Sequence, residues 1–218
     1  MKYNQHTRPG MKIGLTPEQL AHALDKLEAS HDVESYSGIQ CEVKGSNDFY
    51  DEPDFRRHFN RFYRVRRAES WRDAFYSLMG RALRERPGFP AVLALLHEAT
   101  GRYEASFASK LVATLDPSKP VIDSIVLRNL GLHLPATNVA DRAERICKVY
   151  DRVVECFSDF LRTDDGASLV SKFRRRFPDA NITKVKMLDL VLWQTRSGKR
   201  AGSRAKRRQG KNGGAGWR

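Results

Sequence analysis

Between Ala99 and Gly131 the sequence reads as one helix, a break bracketed by prolines, and a second, shorter helix. Tyr103, Phe107, Leu111 and Leu115 recur every fourth residue, which sets them near one face of the first helix. Asp116-Pro-Ser-Lys-Pro120 ends it, because a proline lacks the backbone donor and clashes with the preceding turn. Val121 and Ile122 lead into Asp123, which stands where an N-cap belongs. Ile125, Val126 and Leu130 supply the buried side of the next helix, and Gly131 supplies its stop. Spacing alone makes Asp123 a cap whose truncation costs ~1 kcal/mol.

The rest of the chain is punctuated in the same manner. Thr16-Pro-Glu-Gln19 pairs a cap, a first-turn proline and a capping-box glutamine, and predicts a helix to about Ser30. Residues 31 to 53 carry Gly38, Gly45 and Pro53 and predict loops, with a short extended piece at Ile39 to Val43. A helical region from Asp54 to Arg86, broken near Arg67, carries Phe55, Phe59, Phe62, Tyr63, Trp71 and Phe75 at core-facing spacing. Its arginines (56, 57, 61, 64, 66 and 67) fit either a solvated face or a phosphate-facing surface. Pro87-Gly-Phe-Pro90 is a turn, and a helix restarts at Ala91. A long helix spans Ala140 to Leu161 and stops at Asp164-Asp-Gly166; further helices cover Leu169 to Phe177 and Lys184 to about Thr195. No alternating strand array, hairpin or fixed-period repeat interrupts this pattern, so the predicted fold is all-α.

Charge divides the chain in two. Residues 196 to 218 hold nine Lys or Arg and no acid, leaving +4 of the formal +13 to the preceding 195 residues. This glycine-rich tract cannot bury a core and predicts a disordered basic tail beside a helical domain over 1–195. Such a tail is either a tether to nucleic-acid phosphates or a plain solubilising segment. No amphipathic helix accompanies it to favour an anionic membrane. No apolar run is long enough to span a bilayer, and the first ten residues lack a secretory h-region, so a cytoplasmic location is expected. Cys41, Cys147 and Cys156 form no metal or disulfide framework, and the six histidines show no ligand spacing. No metal or other cofactor is expected.

The segment from residue 95 to 134, above all Val121-Ile-Asp-Ser-Ile-Val-Leu-Arg-Asn-Leu-Gly-Leu132, resembles the helix-hairpin-helix DNA glycosylases. In that superfamily a helical hairpin is followed by a helix opened by an invariant aspartate, and Asp123 matches it. The hairpin half departs from the pattern, since Glu98-Ala-Thr-Gly101-Arg replaces Leu-Pro-Gly-x-Gly and keeps one glycine. The resemblance implies two helical subdomains around a DNA-binding cleft, with a degenerate hairpin. It implies Asp123 as the catalytic carboxylate and double-stranded DNA with a flipped base as partner. No lysine stands near Tyr103 to Ala105, where bifunctional members carry their nucleophile; the expectation is a monofunctional, monomeric enzyme that leaves an abasic site. Trp71, Tyr103 and Trp193 are candidates to stack on the base and Asp189 to read an exocyclic amine, although each also fits a packed core or helix surface. Arg102, Ser106, Ser109 and Lys110 are the DNA-contact candidates beside the hairpin, and the helix end after Asp123 offers amides to a phosphate. The chain is also similar to small bacterial glycosylase-fold proteins, some of which excise glucosylated hydroxymethylcytosine in phage defence. That base leads the expected substrates; an oxidised, deaminated or alkylated base is the alternative, and a non-catalytic DNA-binding protein is the reading from another class.

Overall fold

The computed structural model describes residues 13–46, 48–49 and 51–195. The basic tract at 196–218 lies outside the described residues. Ten helices and no strand occur among the described residues, as the missing alternation predicted.

α1 (Pro17–Ser30) begins as the sequence indicates: Thr16 accepts from the Gln19 amide, and the Gln19 side chain accepts from the Thr16 amide. His31, at φ 54°, then turns the chain directly into α2 (Asp32–Gly45). This helix corrects the loop reading of residues 31 to 53. Val33, Tyr36, Ile39 and Val43 form a buried stripe at three- and four-residue intervals, and burial of that stripe outweighs the low propensity of Gly38.

The helical region that follows is broken where expected. α3 (Pro53–Phe62) and α4 (Glu69–Glu85) flank a connection through Arg64, which adopts φ 53°. α5 (Phe89–Thr100) and α6 (Ala105–Leu115) pack on each other across the short turn 101–104, with Gly101 at φ 70° donating to the His97 carbonyl. α7 (Ser124–Asn129) follows the proline break and ends at Gly131, φ 64°.

α8 (Arg142–Leu161) buries Ile146, Tyr150, Val153 and Phe157. α9 (Asp164–Arg176) starts five residues earlier than its apolar pattern suggests, because Thr163 caps it by accepting from the Gly166 amide. Gly166 fits there because a side chain would collide with the Phe160 carbonyl. α10 (Lys184–Gln194) runs through the interior and packs against α1, α7, α8 and α9. Its central position explains why it is buried on nearly every side, from Lys186 to Leu192. The buried apolar residues of all ten helices form one continuous cluster. No helix among the described residues is long and apolar enough to cross a membrane.

Candidate functional site

Asp123 performs the capping role that its spacing predicts. Its Oδ1 accepts from the amides of Ile125 at 2.8 Å and Val126 at 2.7 Å. Those two donors are therefore occupied by the protein's own side chain rather than left open for a phosphate. Oδ2 makes no hydrogen bond among the described residues, and the carboxyl group lies on the wall of a pocket of about 830 Å³. That volume is within the range of small-ligand sites.

Five segments build the pocket, the 132–134 loop after α7 among them. α6 brings Ser106 and Lys110; the 121–125 segment brings Asp123; α10 brings Asp189 and Trp193; the α3–α4 connection brings Tyr63 and Arg64. The segments are tied together beneath it. Ser109 is fully buried, and its Oγ accepts from the Ile122 amide at 2.8 Å while donating to the Ser106 carbonyl at 2.9 Å. Thr183 caps α10 and donates to the Pro117 carbonyl at 2.5 Å. Asn129 at the end of α7 donates to Thr195 Oγ1 at 2.9 Å and to the Leu192 carbonyl at 3.2 Å. Asp123 thus stands where α6, the start of α7 and α10 are tied together.

The charges in the pocket perturb one another. Burial raises the Asp123 carboxyl above its ordinary value; the amides of Val126 and Ile125 and the Lys110 ammonium oppose the shift, and Asp189 adds to it. Burial lowers Lys110, against the pull of Asp123 and Asp189. The Lys110 ammonium lies 4.9 Å from the Phe107 ring centroid and 5.7 Å from that of Tyr63. Titratable groups shifted by burial and by one another in a shared cleft mark a candidate functional site.

The fold collects some of the sequence candidates and separates others. Asp123, Ser106, Lys110, Asp189 and Trp193 line one pocket. Lys110 is half-buried within it rather than set on an outer surface. Ser109 is interior and acts on Asp123 through the Ile122 backbone. Trp71 stands apart, stacked on Phe75 at 5.3 Å and against Phe107 at 4.6 Å. Tyr103 stacks on His97 at 3.9 Å, with Arg142 over its ring. Arg102 is exposed on the α5–α6 turn, where the Arg67 guanidinium holds Glu104 at 2.8 and 2.9 Å.

Sequence reasoning passed over Arg128, His133 and Lys186 as pocket residues, read Tyr63 only as core-facing, and read Arg64 only as one of the arginines of a solvated or phosphate-facing surface. Arg64 carries its guanidinium 5.4 Å from the Trp193 ring, and its positive φ turns the chain at the pocket rim. Lys186 is 1% exposed and donates to Asp189 Oδ2 at 2.6 Å. Its signal in the sequence was the i, i+3 spacing to Asp189 on an otherwise apolar helix.

No protein-family model, curated protein or solved structure matches the chain.

Proposed function

We propose that this protein is a monofunctional DNA glycosylase, which flips a modified nucleotide from the duplex and hydrolyses its N-glycosidic bond. The observation that carries this reading is Asp123: one carboxylate oxygen anchored by two amides, the other unengaged, on the wall of a pocket that also holds Lys110, Asp189 and Trp193. Breaking the bond leaves positive charge on the sugar, and a rigidly held carboxylate beside C1′ stabilises that charge and orients the attacking water. The open cleft of about 830 Å³ has room for a base that has left the stack, at a cost of a few kcal/mol for unpairing. Trp193 supplies an aromatic wall.

In this reading α5, the 101–104 turn and α6 are a degenerate helix-hairpin-helix, and the helices on either side of the pocket are the two subdomains of a DNA-binding cleft. The basic tract at 196–218 adds sequence-independent affinity for phosphates in the nucleoid. Glucosylated 5-hydroxymethylcytosine of phage DNA is the leading substrate, and the defence role follows from it; a damaged base in repair is the alternative. The enzyme acts as a monomer without a cofactor.

The test compares wild type with Asp123→Asn on duplexes that are plain or that contain uracil, an oxidised base, an alkylated base or glucosylated hydroxymethylcytosine. Alkali cleavage reports abasic sites. Wild-type release of one base, lost in the variant while DNA binding persists, is the expected result. Equal binding by both proteins with no release from any duplex would favour the non-catalytic DNA-binding reading.

One observation favours a second chemistry. Lys110 lies in the same pocket with its amine destabilised as a cation by burial. Its Nζ could attack C1′, the base departing with the glycosidic electron pair, and ring opening would give an imine. Borohydride trapping of a protein–DNA adduct that disappears in Lys110→Met would establish that route in place of water.

A further inference from the structure

The α10 wall of the pocket carries a charged pair to which the bond-breaking step gives no part. Lys186 is 1% exposed, and Asp189 is 8% exposed and lines the pocket. Lys186 Nζ donates to Asp189 Oδ2, and the ammonium lies 4.8 Å from the Tyr36 ring centroid and 6.0 Å from that of Tyr63. Stability alone gives a weak account of such a pair, since apolar residues of similar volume commonly do as well. Asp189 Oδ1 has no hydrogen bond among the described residues. Asp189 and Trp193 are four residues apart on α10, so they share one face of it and together edge the pocket.

We infer that the Lys186–Asp189 pair selects the ligand: Asp189 offers the pocket an acceptor-only edge, and Lys186 is the positioning residue that keeps it so. The inference rests on the reading of this pocket as a nucleobase site. A carboxylate accepts hydrogen bonds and donates none. It therefore matches a base edge carrying an exocyclic amine and opposes one carrying a carbonyl at the same position, where two sets of lone pairs would meet. An unpaired aspartate could escape that conflict by taking a proton and donating it. The ammonium at 2.6 Å removes that escape, because protonation would forfeit the buried ion pair. Lys110 from α6, Asp123 before α7, Tyr36 from α2 and Tyr150 from α8 interact electrostatically with Asp189, and Tyr63, Arg64, Arg128 and His133 line the pocket with it.

The experiment measures equilibrium binding of free bases to the full chain by ligand-observed NMR. Cytosine is compared with uracil and adenine with hypoxanthine, pairs that differ by amine against carbonyl. Wild type is expected to favour the amino member of each pair about 10-fold or more. Asp189→Asn must turn its amide oxygen to the Lys186 ammonium and its Nδ2 donor to the pocket, and is expected to reverse the preference toward the carbonyl member. Lys186→Met, which frees Asp189 Oδ2, is expected to lower the ratio, and Lys186→Arg, which can still donate to that oxygen, to restore it; a merely structural lysine would leave the ratio unchanged in both. Circular dichroism establishes that each variant is folded, and the wild-type ratio stands without either variant. Equal binding of the paired bases by wild type, no binding of any base, or a ratio unchanged in Asp189→Asn overturns the inference. Excision that depends on Asp123 without an amine preference would leave the glycosylase reading standing and this inference refuted. An amine preference that depends on Asp189, with no duplex cut, would do the reverse.

Discussion

Replacing Asp123 by alanine and by asparagine separates its two roles, and the structure orders the resulting stabilities. Alanine removes the acceptor for the Ile125 and Val126 amides and is expected to cost ~1 kcal/mol, up to ~2 given two good bonds. In a chain of this size that lowers the melting temperature by roughly 2–8 °C. Asparagine keeps an oxygen for the cap and discards the charge. Because burial raises the carboxyl in the folded state, that state holds the proton more tightly than the unfolded chain does. Stability is then withdrawn as pH rises from the ordinary carboxylate range through the raised value, and the loss is complete above it. Asparagine escapes this penalty. At neutral pH the expected order is alanine least stable, aspartate next, and asparagine equal to or above aspartate. Its advantage should vanish below the ordinary carboxylate range. Thermal denaturation of the three proteins across pH checks the order. An asparagine variant as unstable as alanine at neutral pH would refute the reasoning, since it would mean that attraction to Lys110 outweighs burial. A wild type less stable than its asparagine variant would show a site that keeps its charge for chemistry at the expense of stability.

The same contacts make further predictions. Lys186→Met removes the ion-pair partner of the buried Asp189 and should destabilise by roughly 3–5 kcal/mol, while adding Asp189→Leu should recover much of that loss in a double-mutant denaturation cycle. Ser109→Ala strips the Ile122 amide of its acceptor and should cost ~1–3 kcal/mol by denaturant titration, with reduced activity because Asp123 is the next residue. With lysines reductively ¹³C-methylated, Lys110 should titrate below surface lysines, and further below in Asp123→Asn, because that carboxylate is one of the groups holding it up. Gly166→Ala drives a methyl group into the Phe160 carbonyl and should cost roughly 1–3 kcal/mol in the same denaturation assay, whereas alanine at Gly38, which has open space, should be neutral or stabilising.

Helix boundaries were largely local matters, and the sequence alone determined them. The Thr16 capping box, the prolines at 87, 90, 117 and 120, and the αL Gly131 act through backbone geometry within a few residues, so their effects are legible without a fold; Gly101, which ends α5 and leaves Tyr103 in the turn before α6, was read through as helix. Asp123 was legible as a cap for the same reason. α2 escaped because Gly38, Gly45 and a polar composition masked a four-residue stripe whose worth depends on what it packs against. The pocket was beyond local reasoning altogether. Trp71, Tyr103 and Trp193 look alike as aromatic candidates, and only the rotation of each segment about its axis turns Trp193 toward Asp123 and the other two toward Phe75 and His97. Lys186 shows the limit most plainly. A lysine on a helix is ordinarily solvated, and nothing within a few residues besides Asp189 marks it otherwise. It is buried because α10 is enclosed by α1, α7, α8 and α9, and it stays charged there because a carboxylate one turn away meets it. Backbone propensity fixed where the helices begin and end; packing between segments distant in sequence decided which charges face one another.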